Sequence, residues 1–525
     1  FINPLVCEGC GDCSKKSNCV SVEPLNTEFG RKRQINQSTC NQDYSCLDGF
    51  CPSFITIEGG ANPHKAAMPS LTADSTPLPR FETVAGVRNI VFTGIGGTGV
   101  TTVASILAMA AHVDGRAASV VDMTGLAQKG GSVFSHVRIG EREDSVVGGR
   151  VPAASAHVLI ACDLLVAASA DALALYAKDR TVACGNGDFS PTADFVTDRD
   201  VRFDTASMAR KVAAATKSYD ACPAQALALE KLGDEIYANM IMLGFAWQKG
   251  VVPVSSRAMY RAIKLNGVQA DENLQAFEIG RMVAHDPAAR GKAQDDVPTP
   301  ETMPLDALIA HRASELTAYQ DEAYAKRYLA RIEQVAAAEA AAGGGEALTR
   351  AAAINLYKLM AYKDEYEVAR LHSDPRARAA RNDAFVGGRS KVWLAPPLLA
   401  RKGPNGEPKK MAFDAWMLDL AFPALAKLKG LRGGALDIFG YTAERKMERG
   451  LIADYEADLD RLVSELTPEK LLLAARIARV PDQIRGFGHI KQASVGPAEA
   501  ERAELWAQWE GEAPAARPMR TLIGA

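Results

Sequence analysis

Apolar residues fall in short runs along this chain, and the period of the runs changes from one end to the other. Asn89-Ile-Val-Phe-Thr93 is an unbroken run of the kind found in strands covered on both faces. It leads through Gly94-Ile-Gly-Gly-Thr-Gly99 into a helical pattern that lasts to Ala111. Further strand-like runs occupy Ser119 to Asp122, His157 to Ala161 and Thr181 to Cys184, and Ser132 to Ile139 alternates partly, like a strand with one wet face. Strands interleaved with helices predict an α/β domain on a largely parallel sheet. From about residue 253 the strand signal fades and helical periodicity takes over.

The last third reads as mostly helix. Asp321 to Ala342 and Ala347 to Leu371 carry helix formers with apolar residues at steps of three and four, separated by Gly343-Gly-Gly345. Thr467-Pro468-Glu469 places a capping residue, a proline and an acid in the order of a helix start. Lys391 to Leu394 and the turn Gly403-Pro-Asn-Gly406 predict a small hairpin. Residues 59–85 are rich in Gly, Pro, Ser and Thr and read as a linker. The expected organisation is therefore an amino-terminal module at 1–58, a linker at 59–85, a Rossmann-like α/β domain at 86–290 and a mostly α-helical domain at 291–525.

Seven of the ten cysteines crowd into the first 51 residues, and they change the picture of the first module. Cys7, Cys10 and Cys13 stand two residues apart, and Cys51 is followed by Pro52. Three closely spaced thiolates and a remote Cys-Pro form the ligand set of one [4Fe-4S] cluster in a ferredoxin-like module. Cys19, Cys40 and Cys46 remain, with Asp43 at the slot where a fourth ligand is expected. They predict a second centre, either an Asp-ligated [4Fe-4S] or a [3Fe-4S]. A disulfide framework is disfavoured by the odd cysteine count and by a chain long enough to build a core. Structural zinc fits less well, since it uses two separated CxxC knuckles rather than CxxCxxC with a terminal Cys-Pro.

At 525 residues the chain has room for about three domains. A formal charge of -3 and 47% hydrophobic residues give no sign of a nucleic-acid partner. Charges such as Asp163 and Asp171 interrupt the richest apolar segments, so no membrane span is expected. Thiolate clusters without an export signal point to the cytoplasm. The chain opens on Phe1 rather than Met and reads as a piece of something longer. Arg31-Lys32-Arg33 is a basic group able to attract an acidic ferredoxin, or a solvated turn. His136, His157, His372 and His489 read as packed or surface histidines, and Cys162, Cys184 and Cys222 as small buried hydrophobes. No catalytic constellation emerges.

Gly94-x-Gly96-x-x-Gly99 follows a strand, opens a helix, and has Asp122 at the end of the next strand. That is the dinucleotide fingerprint, with close strand-to-helix packing as the structural alternative. A phosphate-binding P-loop is a poor fit, because Val100 stands where that motif has its lysine. The wider context narrows the choice. Thr93 to Val100, then Gln128-Lys129-Gly130-Gly131, then Ser135-His-Val-Arg138 resemble the gamma-type domain of 2-oxoacid:ferredoxin oxidoreductases. Cysteine module, gamma-type domain and helical tail together resemble the C-terminal half of the fused indolepyruvate-type enzymes of that superfamily.

The resemblance implies oxidative decarboxylation of a 2-oxo acid, an arylpyruvate such as indolepyruvate, on thiamine diphosphate. Electrons would pass through iron-sulfur clusters to ferredoxin, and the acyl group to coenzyme A. No Gly-Asp-Gly segment followed by paired asparagines is present, so thiamine diphosphate and Mg2+ are expected on domains upstream or on a partner chain. The whole enzyme is expected to be a homodimer. The resemblance further suggests that Gly94, Gly96, Gly97, Thr98 and Gly99 with Gln128, Lys129, Gly130 and Gly131 offer donors to an anionic group such as a coenzyme A phosphate. Two other readings stay open: a nicotinamide-linked iron-sulfur electron-transfer protein using Asp122, and a non-catalytic ferredoxin-like adaptor.

Overall fold

The computed structural model describes residues 1–61, 71–72, 75–81, 86–125, 130–188, 194–201, 204–290, 297–396 and 408–511. Two compact units emerge. One gathers residues 1–36 and 41–61 with the chain from 297 onward, and the other holds 37–40 and 62–296.

The amino-terminal segment of the first unit has three strands, β1 (Val22–Thr27), β2 (Gly30–Ile35) and β3 (Ile55–Glu58). β1 and β2 form an antiparallel hairpin closed by the pair Thr27 and Gly30, where Gly30 takes φ 87° and the Thr27 hydroxyl donates to Gly30 O at 2.7 Å.

The second unit is built on six strands, β4 (Arg88–Ile95), β5 (Ala117–Thr124), β6 (Ser132–Gly140), β7 (Val158–Ala161), β8 (Val182–Asn186) and β9 (Ser218–Cys222), in the spatial order β5-β6-β4-β7-β8-β9. Every residue of β4 is buried, as its unbroken apolar run predicts for a central strand. The sheet is parallel only from β4 to β9. β6 runs antiparallel to both β4 and β5, which corrects the expectation of a largely parallel sheet. Helix Val100–Val113 covers one face with its Val103, Leu107 and Ala110. Helices Ala238–Gln248 and Ala270–His285 complete that core by close approach. A Cβ on Gly244 would lie 2.1 Å from Phe277 O, and one on Gly280 would lie 2.0 Å from Ile241 O, so only glycine admits this spacing.

The remaining strands, β10 (Arg389–Leu394) and β11 (Met411–Asp414), pair antiparallel as the predicted hairpin does, while its turn Gly403 to Gly406 lies outside the described residues. β10 also pairs antiparallel with β3, so the first cysteine-bearing segment shares a sheet with the far end of the chain. Asp321 caps helix Glu322–Ala341 by accepting from Tyr324 N at 2.8 Å, in line with the sequence. The single helix expected over Ala347 to Leu371 is instead two, Ala347–Met360 and Glu365–Ser373. Asp364 caps the second by accepting from Glu367 N at 2.8 Å, and Lys363 sits in the break. Among the described residues no helix is long and apolar enough to cross a membrane.

Candidate metal centre and glycine-rich loop

Cys7, Cys13 and Cys51 are buried together with Ile2, Val6, Val22 and Phe54, and Cys19 and Cys46 pack against the same group. The chain reaches this arrangement through tight backbone. Gly9 and Gly11 take φ of 65° and 78°, and Gly49 lies so close that a Cβ there would meet Cys13 Cα at 2.8 Å. Asp12 accepts from Phe50 N at 2.7 Å and ties the first loop to the last. Gly9 N donates to Cys7 Sγ at 3.4 Å, and Cys51 Sγ is 2.8 Å from Ser53 Oγ.

Three thiols of the first predicted set are shifted by burial and by their neighbours. Burial, then Cys7 and Cys10, push the Cys13 thiol up to about 12, and burial pushes Cys10 up to about 11. Cys51 is raised well above the ordinary thiol range by burial and by the same two neighbours. All ten cysteines are free of disulfides. Uncrosslinked thiols gathered in this way, with Cys10, Cys13 and Cys51 held protonated by burial and by their neighbours, form a donor set that a cationic iron centre stabilises by taking the thiolates. Among the described residues no three His, Cys, Asp or Glu side chains converge on one metal ion. A cubane gives each thiolate its own iron, so its ligands need not converge on a single ion. The residues present fit the first cluster.

The second predicted set is divided. Cys19, Asp43 and Cys46 belong to the first unit, and Cys40 to the segment 37–40 that groups with the second, where Ser38 Oγ accepts from Glu235 N at 3.1 Å. Asp43 is exposed, and its Oδ1 accepts from Ser45 N at 3.1 Å and from Ser45 Oγ at 2.8 Å.

The helical segment contributes residues whose sequence context gave no hint of this role. Lys363 donates to Val6 O at 3.1 Å and Cys7 O at 3.3 Å and pairs with Glu8 at 2.5 Å. Lys410 donates to Gly49 O at 2.5 Å and lies 4.6 Å from the Phe54 ring centroid. His372, read from sequence as a packed or surface histidine, donates from Nε2 to Pro52 O at 2.9 Å beside Cys51, and burial lowers its pKa to about 4. Lys32 and Arg33 are 8% and 1% exposed, so the expected basic surface group is instead interior. Burial works against the charge of Arg33, and Cys13, Cys7 and Cys10 support it.

In the second unit the glycine-rich turn closes on the paired glycines. Gly96 N donates to Gly131 O at 2.7 Å, and Gly130 N to Gly96 O at 3.3 Å. Thr98 N and Oγ1 both donate to Ile95 O, and Asn239 Nδ2 reaches Thr98 O at 2.6 Å. Gly94 packs under the helix, where a Cβ would meet Val100 Cγ2 at 2.4 Å. The amides of Gly97 and Gly99, both at positive φ, meet no protein acceptor among the described residues. Gln128 and Lys129 lie outside the described residues.

The dinucleotide fingerprint loses its second half here. β6 stands between β4 and β5, so Asp122 lies two strand spacings, about 10 Å, to the side of the strand that feeds the loop. In register it matches Ser135, which in turn faces Phe92, below the turn rather than beside it. Its Oδ1 accepts from Ser135 Oγ at 2.5 Å. An acid so placed does not reach a ribose held at Gly96, which removes the geometric basis for the nicotinamide reading.

Two families match parts of the chain. Residues 89–283 match pyruvate ferredoxin/flavodoxin oxidoreductase, and residues 305–504 match a family of unknown function (DUF6537). Indolepyruvate oxidoreductase subunit IorB of Thermococcus kodakarensis is 29% identical over 37% of this chain and 93% of its own length. The protein of the same description from Pyrococcus horikoshii is likewise 29% identical, over 37% of this chain and 93% of its own length. 2-Oxoglutarate synthase subunit KorC of Methanothermobacter marburgensis is 31% identical over 37% of this chain and 95% of its own length.

Proposed function

This chain belongs to the 2-oxoacid:ferredoxin oxidoreductase superfamily, and from that premise we propose that it is the electron-relaying part of an arylpyruvate-oxidising member, of the indolepyruvate type. The observation that carries the reading is the enclosure of Cys7, Cys13 and Cys51 in one buried group, with Cys10 near enough to act on the Cys13 and Cys51 thiols. When bound there, an iron-sulfur cluster supplies one-electron relay between the oxidation site and ferredoxin. The chain's own residues shape that relay. The Gly9 amide donates to the Cys7 sulfur, Ser53 stands beside the Cys51 sulfur, and Ile2, Val22 and Phe54 exclude water.

In the second unit, the Gly97 and Gly99 amides at the start of helix Val100–Val113 offer donors to an anion, with coenzyme A as the co-substrate that brings one. The Gly96, Thr98 and Gly130 amides are already donated within that turn, and Gly131 accepts there through its carbonyl. Decarboxylation would take place on thiamine diphosphate and Mg2+ held outside this chain. Cys19, Cys40, Cys46 and Asp43 remain the candidates for a second centre.

Anaerobic preparation with iron and sulfide quantification and EPR tests the relay. A cubane signal lost in Cys13→Ala, and reduced by an arylpyruvate with coenzyme A in the native particle, is the expected result. Protein that binds only zinc refutes the relay, and one cubane's worth of iron per chain refutes the second centre.

A further inference from the structure

Lys410 is a cation without an obvious reason to be enclosed. Its ammonium donates to Gly49 O and lies over the Phe54 ring, and among the described residues it joins no ion pair. Neighbouring cations in this region differ from it, since Lys363 pairs with Glu8 and Lys491 with Glu448. A half-buried ammonium needs opposite charge, because a carbonyl and a ring replace only part of its hydration. The groups that favour its charged form are Cys51, Cys46 and Cys13, followed by Asp12.

We propose that Lys410, carried by the helical segment onto the amino-terminal cysteines, is a fixed counter-charge that raises the reduction potential of the cluster held by Cys7, Cys10, Cys13 and Cys51. The inference rests on the ligand reading above and extends it to a part of the chain whose matching family has no function attached. A cluster bound by four thiolates is anionic, and taking up an electron makes it more so. A cation held against it therefore favours the reduced form. Because Lys410 leads into β11, whose partner β10 is paired to β3, the charge is held by a sheet that includes the segment following Cys51. Lys410 is a positioning residue in this sense, with no contact to a 2-oxo acid implied.

The test uses the full chain prepared without oxygen. Iron and sulfide content is measured first, and the midpoint potential is then read by a redox titration followed by EPR. Lys410→Gln, which keeps a donor for Gly49 O but no charge, is expected to shift the potential downward at unchanged iron content. Lys410→Arg should restore it, and Lys409→Gln, at the exposed neighbour, should leave it in place. A wild-type potential in Lys410→Gln overturns the proposal, as does an equal shift or equal loss of iron in Lys410→Gln and Lys410→Arg. Wild-type protein without any iron-sulfur cluster overturns the ligand reading itself, and this inference with it.

Discussion

Replacing Arg432 by Met tests the knot that holds the break between helices Ala347–Met360 and Glu365–Ser373. Arg432 donates from Nε to Asp364 Oδ2 at 2.6 Å and from Nη2 to Oδ1 at 3.0 Å. It also donates to Tyr319 O at 2.7 Å and to Gln320 Oε1 at 2.8 Å, and its guanidinium lies 3.6 Å from the Tyr319 ring centroid. Side-chain exposures of 6% and 3% for Arg432 and Asp364 mean that Met would leave a carboxylate enclosed without a partner. Breaking a buried pair in that way costs about 3–5 kcal/mol. The stripped Tyr319 carbonyl adds about 1 kcal/mol. The terms overlap, so a loss of roughly 4 kcal/mol is expected, and at ~2–4 °C per kcal/mol it lowers the midpoint of thermal unfolding by roughly 10 °C. Circular dichroism on anaerobic protein measures it. Adding Asp364→Asn, which keeps an acceptor for Glu367 N but removes the orphaned charge, should recover part of the loss. A single variant within about 1 kcal/mol of wild type, or a double variant no more stable than the single, refutes the reasoning.

Three further outcomes follow from the second unit. Burial works against the charge of Asp220, yet Arg290 and Lys249 hold its carboxyl at about 2 against an ordinary 3.8. A depressed folded value contributes stability above about pH 4 and loses it as pH falls toward 2. Asp220→Asn should therefore flatten acid unfolding of this unit over that window, by no more than about 1 kcal/mol for so exposed a pair, and an unchanged slope argues against the assignment. Gly280→Ala drives a methyl into Ile241 O and should cost at least about 1–3 kcal/mol by thermal unfolding, with wild-type stability as the contrary result. Gly96→Asp places a negative side chain on the turn that presents the Gly97 and Gly99 amides, and it should weaken the apparent affinity for coenzyme A in an otherwise active enzyme. Unchanged affinity removes the anion site.

Much of the second unit was legible because its signals are local. Asn89 to Thr93 announces a covered strand, and Gly94 to Gly99 announces the turn into a helix. Which strand lies beside β4 is not local. β6 inserts there through pairings such as Val91 with His136, more than forty residues away, and no spacing in the chain encodes that choice. The missed break after Met360 did carry a signal, since Asp364 followed by Glu367 is the spacing of a helix start inside an apolar pattern. The cysteines showed themselves by spacing, whereas Lys363, His372 and Lys410 lie hundreds of residues further on and have ordinary neighbours. Arg33 misled for a related reason, because a run of three basic residues describes a solvated turn unless distant thiols are known to surround it.

The union of β3 with β10 has a consequence for how the polypeptide is made. Glu58 and Lys391 are separated by 333 positions. At ~5–20 residues per second, synthesis takes on the order of tens of seconds to bring the second strand to the first. Throughout that interval Cys7, Cys10, Cys13 and Cys51 have left the ribosome with one wall of their enclosure still unmade, open to oxidants and to adventitious metal. Maturation of the first module is thereby tied to a strand translated 333 positions later.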